Sequence, residues 1–327
     1  MQKLPKVELH LHLDCSLSFA LVSRLKPSVT REEFDREFIA PARCTNLADF
    51  LLRPPKCIAL MQTESQLQAS ITDLFQQLQQ DNIIYAEIRF APFLHRQKGL
   101  RPEEVVEIVD TATAAAEKDF GIHAGLLLCT LRHYSAEESL ATAKLVERFH
   151  GRKAVALDIA GDEAGFPIDA HIPAFNYAKQ RNLGRVAHAG EARGADSVWE
   201  TLESFDPSRI GHGVRSMEDP VLMQHLKEKG IHLEVCPSSN VQISMYERYQ
   251  DHPVGQMEKS GVSFNINTDS RTVNNLSLTD EYEKMSKHFG WGPKQFLATN
   301  LNAVNASFAG DPIKRKLRAT LKAAYAK

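Results

Sequence analysis

An α/β chain folded as a (β/α)8 TIM barrel, with extra helices inserted after strand 1, is predicted from three observations. There are eight short strand-like runs, helix-like segments separate most of them, and their spacing is regular. The runs are rich in Val, Ile, Leu and Phe and are bounded by Gly, Pro, Asn or Asp. They read VELHLHL from Val7, IIYAEIRF from Ile83, IHAGLLLCTL from Ile122, AVALDIA from Ala154, GRVAHAG from Gly184, RIGHG from Arg209, IHLEVCP from Ile231 and VSFNINTD from Val262. From the second run onward the starts differ by 39, 32, 30, 25, 22 and 31 residues, which suits repeated βα units. A doubly wound open sheet is the alternative architecture.

The first interval breaks that rhythm, because 76 residues separate the starts at Val7 and Ile83. Residues 15–82 are therefore expected to be a helical insertion. Within it, CTNLADFLLRPPKCIALM is apolar at helical spacing (Leu47, Phe50, Leu51) and is then broken by Pro54 and Pro55. Packing against the outer wall of the barrel is the expectation, with a lid over the pocket as the other option. Further helices are expected at 102–119, 136–149, 172–180 and 197–202, the last opening on a capping box from Ser197 to Glu200. Residues 279–327 read as helices that close the barrel. No linker or low-complexity tract divides the chain, so 1–327 is expected to be a single domain.

Composition narrows the partners. The 327 residues are 43% hydrophobic and 24% charged, with a formal net charge of −2 and both signs interspersed. No basic patch for nucleic acid and no polybasic segment for a membrane is present, which leaves a small molecule as the expected partner. The N-terminal MQKLPKVELH has no apolar secretory core, and no apolar run reaches spanning length, so the expected location is the cytoplasm. Five cysteines without a CxxC pair indicate neither a disulfide framework nor a thiolate zinc site.

In a barrel, chemistry belongs at the C-terminal ends of strands. In VELHLHLD, His10 and His12 share one face two residues apart, so both can reach one ion; an isolated HxH is more often an exposed polar face. Strand 5 ends in HAGE, with His188 and Glu191. Strand 6 ends in GHG, with His212 between glycines, and strand 8 ends at Asp269. Strand 4 ends in DIAGDE, where Asp158, Asp162 and Glu163 crowd together and Gly161 can expose its backbone N–H. Four of thirteen histidines thus fall late in strands, whereas His123 and His232 fall near strand starts. Three imidazoles and one carboxylate suit a borderline ion such as Zn²⁺, with Glu191 then a proton carrier rather than a ligand. Competing motifs fail: there is no P-loop, no GxSxG elbow and no PCxxC, and Cys236 before Pro237 reads as a buried spacer.

The combination ELHLHLD, HAGE, RIGHG, CPSSN and NTD, in that order over nearly the whole chain, resembles the adenosine deaminase family of zinc amidohydrolases. That resemblance implies that His10, His12, His188 and Asp269 hold one catalytic zinc. Glu191 would give a proton to purine N1, and His212 would orient the attacking water and help deprotonate it. Asp14 would bind the ribose 5′-hydroxyl and the Gly161 N–H would meet purine N3. The implied reaction is hydrolytic deamination of adenosine or 2′-deoxyadenosine to the 6-oxo product and ammonia. Binuclear relatives commonly place a carboxylated lysine at the end of strand 4. Here that end is DIAGDE and Lys153 lies at the strand's start, so one ion per chain is expected. Two positions depart from the family pattern. Cys15 stands where Gly is usual. Ser270 stands where a second Asp usually bonds purine N7, a contact that a hydroxyl makes with less geometric stiffness. The alternatives are a deaminase of another 6-aminopurine, such as adenine or aminodeoxyfutalosine, and a non-catalytic descendant of the fold.

Overall fold

Eight parallel strands pair in strict sequence order, from β1 to β8, in the computed structural model, which describes residues 1–326. They are β1 (Lys6–His12), β2 (Ile83–Phe90), β3 (His123–Leu131), β4 (Ala154–Ala160), β5 (Gly184–Ala189), β6 (Arg209–His212), β7 (His232–Val235) and β8 (Ser263–Ile266). Each boundary falls within a few residues of the apolar run that predicts it. The ring closes between β8 and β1 by a single bridge, Leu11 to Asp269. There the Asp269 N–H donates to His10 O and the His12 N–H to Asp269 O, each at 3.0 Å. Below this bridge the Asn267 side-chain oxygen accepts the N–H groups of Leu9 (2.9 Å) and His10 (3.1 Å), supplying acceptors where the strand ladder has run out.

Both faces of these strands are covered. Outward residues such as Leu9 and Leu11 meet helices, while Glu8, Glu87, Arg89, Asp158, Arg209 and Glu234 are wholly buried. Burial of so many charges is tolerable only because they pair. Arg89 on β2 reaches Asp158 on β4 (2.9 Å) and Glu234 on β7 (2.6 Å), and Arg209 on β6 reaches Glu87 (2.5 Å) and Glu234 (2.7 Å). Contacts between non-neighbouring strands can only cross the barrel interior, so an ion-pair layer fills the space beneath the C-terminal rim.

The outer helices follow the expected order. Pro102–Phe120, Ala136–Phe149 and Ile172–Gln180 lie where periodicity predicts them, and Ser135 with Glu138 forms a capping box on the second. The capping box expected at Ser197 is not formed. The helix is Ala195–Phe205 with Gly194 at its N-cap; Ser197 lies inside the first turn and its hydroxyl donates inward to Glu163 (2.6 Å). Glu200 pairs instead with Arg193 (2.7 Å). After β8, Leu278–Phe289, Pro293–Ala306 and Asp311–Tyr325 close the barrel; Ala303, Val304, Leu317 and Leu321 bury Val7 and Leu9 of β1. No helix among the described residues is long and apolar enough to cross a membrane.

Between β1 and β2 lie Phe19–Leu25, Arg31–Glu37, Leu47–Phe50, Pro54–Ile58 and the long outer helix Glu64–Gln80. The expectation that the segment around Leu47 packs on the outer wall is overturned. Leu47, Phe50, Leu51, Pro54, Pro55 and Ile58 instead line a cavity at the barrel mouth. One short helix ends at Phe50 and Pro54 opens the next as its first residue, and the turn between them carries the apolar stripe over the opening rather than down the side.

Candidate active site

That cavity, of about 270 Å³, is floored by the C-terminal ends of β1, β4, β5 and β6 and by the turn after β8. Its polar lining includes His12, His188, His212, Glu191 and Asp269. His10 lies directly beneath them: its ring centroid is 4.6 Å from that of His188 and 4.7 Å from that of His212. The rings come this close because β6 offers Gly211 below them, where a Cβ would meet His10 Cε1 at 3.0 Å and His188 Cγ at 3.1 Å. Asp269 and His212 both hold left-handed backbone, at φ 66° and 59°, an uncommon conformation for non-glycine residues that aims each side chain inward.

The nitrogens of His10, His12 and His188 fall within 4.8 Å of one another. His12 Nε2 is 3.2 Å from His188 Nε2 and 3.3 Å from Asp269 Oδ1, and His10 Nε2 is 3.6 Å from the same oxygen. Two of the far sides, those of His10 and His188, are already committed. His10 Nδ1 lies 2.9 Å from Glu234 and His188 Nδ1 lies 3.2 Å from Asp158, so the lone pairs of both rings are turned to the centre. Burial holds the imidazoles of His12 and His188 below their usual range, keeping them neutral. His10 Nε2 is buried without a hydrogen-bond partner. Unprotonated nitrogens that face one another around a carboxylate want a cation between them, and carboxylates behind ligating histidines are the usual support for one. The donor set of nitrogen and oxygen therefore fits a single divalent ion.

Glu191 Oε1 sits 3.5 Å from His212 Nε2 at the edge of this cluster. Burial, with the negative charges of Asp269 and Glu163 added, pushes its carboxyl well above the usual carboxylate range. Glu163 fixes the loop that carries it, accepting the backbone N–H groups of Gly190, Glu191, Ala192 and Arg193 at 2.7, 2.9, 2.5 and 3.0 Å. His212 is oriented by a directional chain. Val254 N–H donates to His252 Nδ1 (3.2 Å), His252 Nε2 to Asn240 Oδ1 (3.2 Å), and Asn240 Nδ2 to His212 Nδ1 (3.2 Å). Hydrogen on His212 therefore resides at Nε2, facing the cavity. Ser239, beside Asn240, donates to Asp269 Oδ2 (2.7 Å). Cys236 is buried and its thiol is pushed well above the usual range by burial, which disqualifies it as a nucleophile.

Asp14, Gly161 and Ser270 line the same cavity, as does Cys15. The Ser270 hydroxyl is 3.4 Å from Asp269 Oδ1. His123 and His232 open β3 and β7, at the opposite end of the barrel. Glu234, Arg89, Asn240, His252 and His95 escaped sequence reasoning, although a charged residue inside an apolar run, as in IIYAEIRF and IHLEVCP, is itself a signal.

A parallel (β/α)8 barrel with a cluster of nitrogen and oxygen donors that could hold a metal and a buried carboxyl beside it at the C-terminal rim defines a class, the metal-dependent hydrolases of the amidohydrolase type. Comparison narrows the class. The family model "Adenosine deaminase" matches residues 5–324, and an adenosine deaminase of Clostridium perfringens (strain 13 / Type A) is 33% identical over 325 residues, 97% of this chain and 98% of the relative. The chain belongs to the adenosine deaminase family, and it is a hydrolase acting on the C–N bond of a cyclic amidine. Among solved structures, adenine deaminase from Arthrobacter aurescens superposes with a TM-score of 0.91 at 27% identity, covering 99% of each chain. An amidohydrolase from Burkhoderia ambifaria with bound Zn shares the fold, with a TM-score of 0.87 at 22% identity, covering 99% of this chain and 91% of that one.

Proposed function

We propose that this protein deaminates adenosine and 2′-deoxyadenosine hydrolytically, using one zinc ion held by His10, His12, His188 and Asp269. The observation that carries the reading is the meeting of Glu191 and His212 at 3.5 Å beside that cradle, which pairs a proton donor with a water-orienting group on one side of a base-sized cavity. When bound, zinc supplies the Lewis acidity that makes water a nucleophile near neutral pH. Glu191 then gives its proton to purine N1, so that the ring accepts electrons as C6 is attacked. His212 orients the attacking water through Nε2–H. To take the water's proton it would first have to move its own to Nδ1, against the Asn240 amide, so orientation is its principal part; the carboxylate left on Glu191 takes one proton of the water and regains its acid form, and the water's other proton goes to the C6 amine, which leaves as ammonia. The lid residues Leu47, Phe50, Leu51 and Ile58 cover the base and exclude bulk water. Asp14 meets the 5′-hydroxyl, Gly161 N–H meets N3, and Ser270 faces N7. The chain acts as one barrel domain with residues 15–82 as its insertion, on a cytoplasmic small-molecule substrate.

A second substrate is favoured by two observations. The Ser270 hydroxyl bonds Asp269, which weakens its claim on N7, and the Arthrobacter match is an adenine deaminase. Zinc-loaded protein incubated with adenosine, 2′-deoxyadenosine, adenine and aminodeoxyfutalosine, following ammonia release, separates the readings. Turnover of adenosine above the others supports the first, and no turnover on any of them with zinc bound refutes both. Ser270→Asp raises kcat/KM on adenosine if the native substrate is another base, and gives no gain if Ser270 already serves adenosine.

A further inference from the structure

Asp14 does not stand alone at the sugar end of the cavity. One carboxylate oxygen accepts the Ala91 N–H at 2.9 Å, and the other lies 2.7 Å from Nε2 of His95. His95 closes the short 3-10 turn Pro92–His95 after β2 and is wholly buried. Its second nitrogen, Nδ1, lies 2.9 Å from the carbonyl oxygen of Met61. A carbonyl can only accept, so Nδ1 carries hydrogen and donates to Met61. Nε2 faces the Asp14 carboxyl oxygen at hydrogen-bond distance, so the ring is held between Met61 and Asp14 by both of its nitrogens. Met61 lies three residues beyond the lid helix Pro54–Ile58. The neighbouring Gln62 amide ties the same two segments, donating to Ile58 O (2.8 Å) and Leu94 O (2.9 Å).

We infer that His95 is a positioning residue for substrate selectivity: it fixes the Asp14 carboxylate in the orientation that recognises a sugar hydroxyl, and anchors that carboxylate to the base of the lid. The inference rests on the proposed contact between Asp14 and the sugar. It assigns to His95 no contact with substrate or metal. A hydroxyl donor reaching a carboxylate that is already held on two sides loses little freedom on binding, which is how a fixed acceptor gains selectivity over one that swings.

Two substitutions split the residue's two bonds. In His95→Gln the amide nitrogen falls where Nε2 was and keeps a donor on Asp14, while the Met61 bond is lost. In His95→Asn the amide falls nearer Nδ1, keeping Met61 and releasing Asp14. The readout is the ratio of kcat/KM for adenosine over 5′-deoxyadenosine, which lacks only the hydroxyl, with zinc content and melting temperature measured for each protein. The expected result is a ratio lowered about tenfold in His95→Asn, through the adenosine value alone, and held within about twofold of the parent in His95→Gln. If His95→Asn depresses both substrates equally, the effect is general damage and the inference is overturned. Should the ratio be unchanged in both variants while the parent protein discriminates, the inference fails and the Asp14 contact stands. If the parent protein itself does not distinguish the two nucleosides, the Asp14 reading fails first and takes the inference with it.

Discussion

Replacing Glu163 by Gln keeps the shape of a side chain that organises the catalytic loop while removing its charge. The carboxylate takes five donors. One oxygen accepts Gly190 N–H (2.7 Å) and the Ser197 hydroxyl (2.6 Å), and the other accepts the N–H groups of Glu191, Ala192 and Arg193. A glutamine must turn an NH₂ toward one of these sets. The cheaper choice points it at Gly190 and Ser197, since the serine hydroxyl can rotate to accept. Even then one buried backbone N–H loses its acceptor and three charge-assisted bonds become neutral, which costs about 2 to 4 kcal/mol. Because Glu191 is one of the bonded residues, a shift of the loop on the order of 1 Å reduces kcat/KM by about a hundredfold without loss of metal. The assay pairs steady-state kinetics with a thermal melt and a zinc determination. A Glu163→Gln protein within about twofold of the parent in kcat/KM, and equally stable, would refute the idea that this carboxylate holds the proton donor in place.

Four further outcomes are expected. Arg89→Lys replaces a fork that spans Asp158 and Glu234 by a single point charge, so the carboxylates behind His188 and His10 lose their common brace and zinc affinity falls about 10- to 100-fold in chelator competition. If Glu191 is the proton donor proposed above, its raised carboxyl sets the pH profile: kcat/KM is retained below that raised value and lost as pH rises through it, above the ordinary carboxylate range. Glu191→Gln keeps zinc and loses about 10²- to 10⁴-fold in turnover, and a parent profile whose basic limb falls in the ordinary range contradicts the assignment. Burial lowers the His232 imidazole from 6.5 to about 4, so the unfolded chain binds a proton that the folded one refuses. Stability present above 6.5 is lost as pH falls toward 4, by about 3 kcal/mol, and His232→Gln shows a flatter dependence of the urea midpoint over that window.

Much of the barrel is written locally, which is why the sequence is a good guide to it. Strand β1 announces itself through alternation, and the helices Ala136–Phe149 and Ile172–Gln180 through spacing and caps. What local pattern cannot show is which partner a residue finds. Ser197 has the form of a cap, yet a buried carboxylate 34 residues away takes its hydroxyl. Leu47 and Phe50 have the spacing of any apolar stripe, and whether it covers the outer wall or the mouth depends on where Pro54 turns the chain. The first ligand candidates were legible because HxH and HAGE are compact. Their supports were not, because His10 meets Glu234 across 224 residues of sequence and Arg89 reaches Glu234 across 145. Such pairings arise only once a closed ring brings β2, β4 and β7 face to face.

The bridge at Asp269 bears on how this chain can drift. Its backbone both accepts from His12 and donates to His10, in a left-handed conformation that Gly, Asn and Asp adopt most readily. Mutational paths away from the carboxylate are therefore unequal: Asn or Gly preserves the closure of the barrel while giving up the negative oxygen that faces His10 and His12, whereas Ala or Val strains the ring itself. A lineage that abandoned catalysis but kept the scaffold would be expected to leave Asn or Gly at this one position, a fossil of the chemistry readable in genomes long after the histidines had gone.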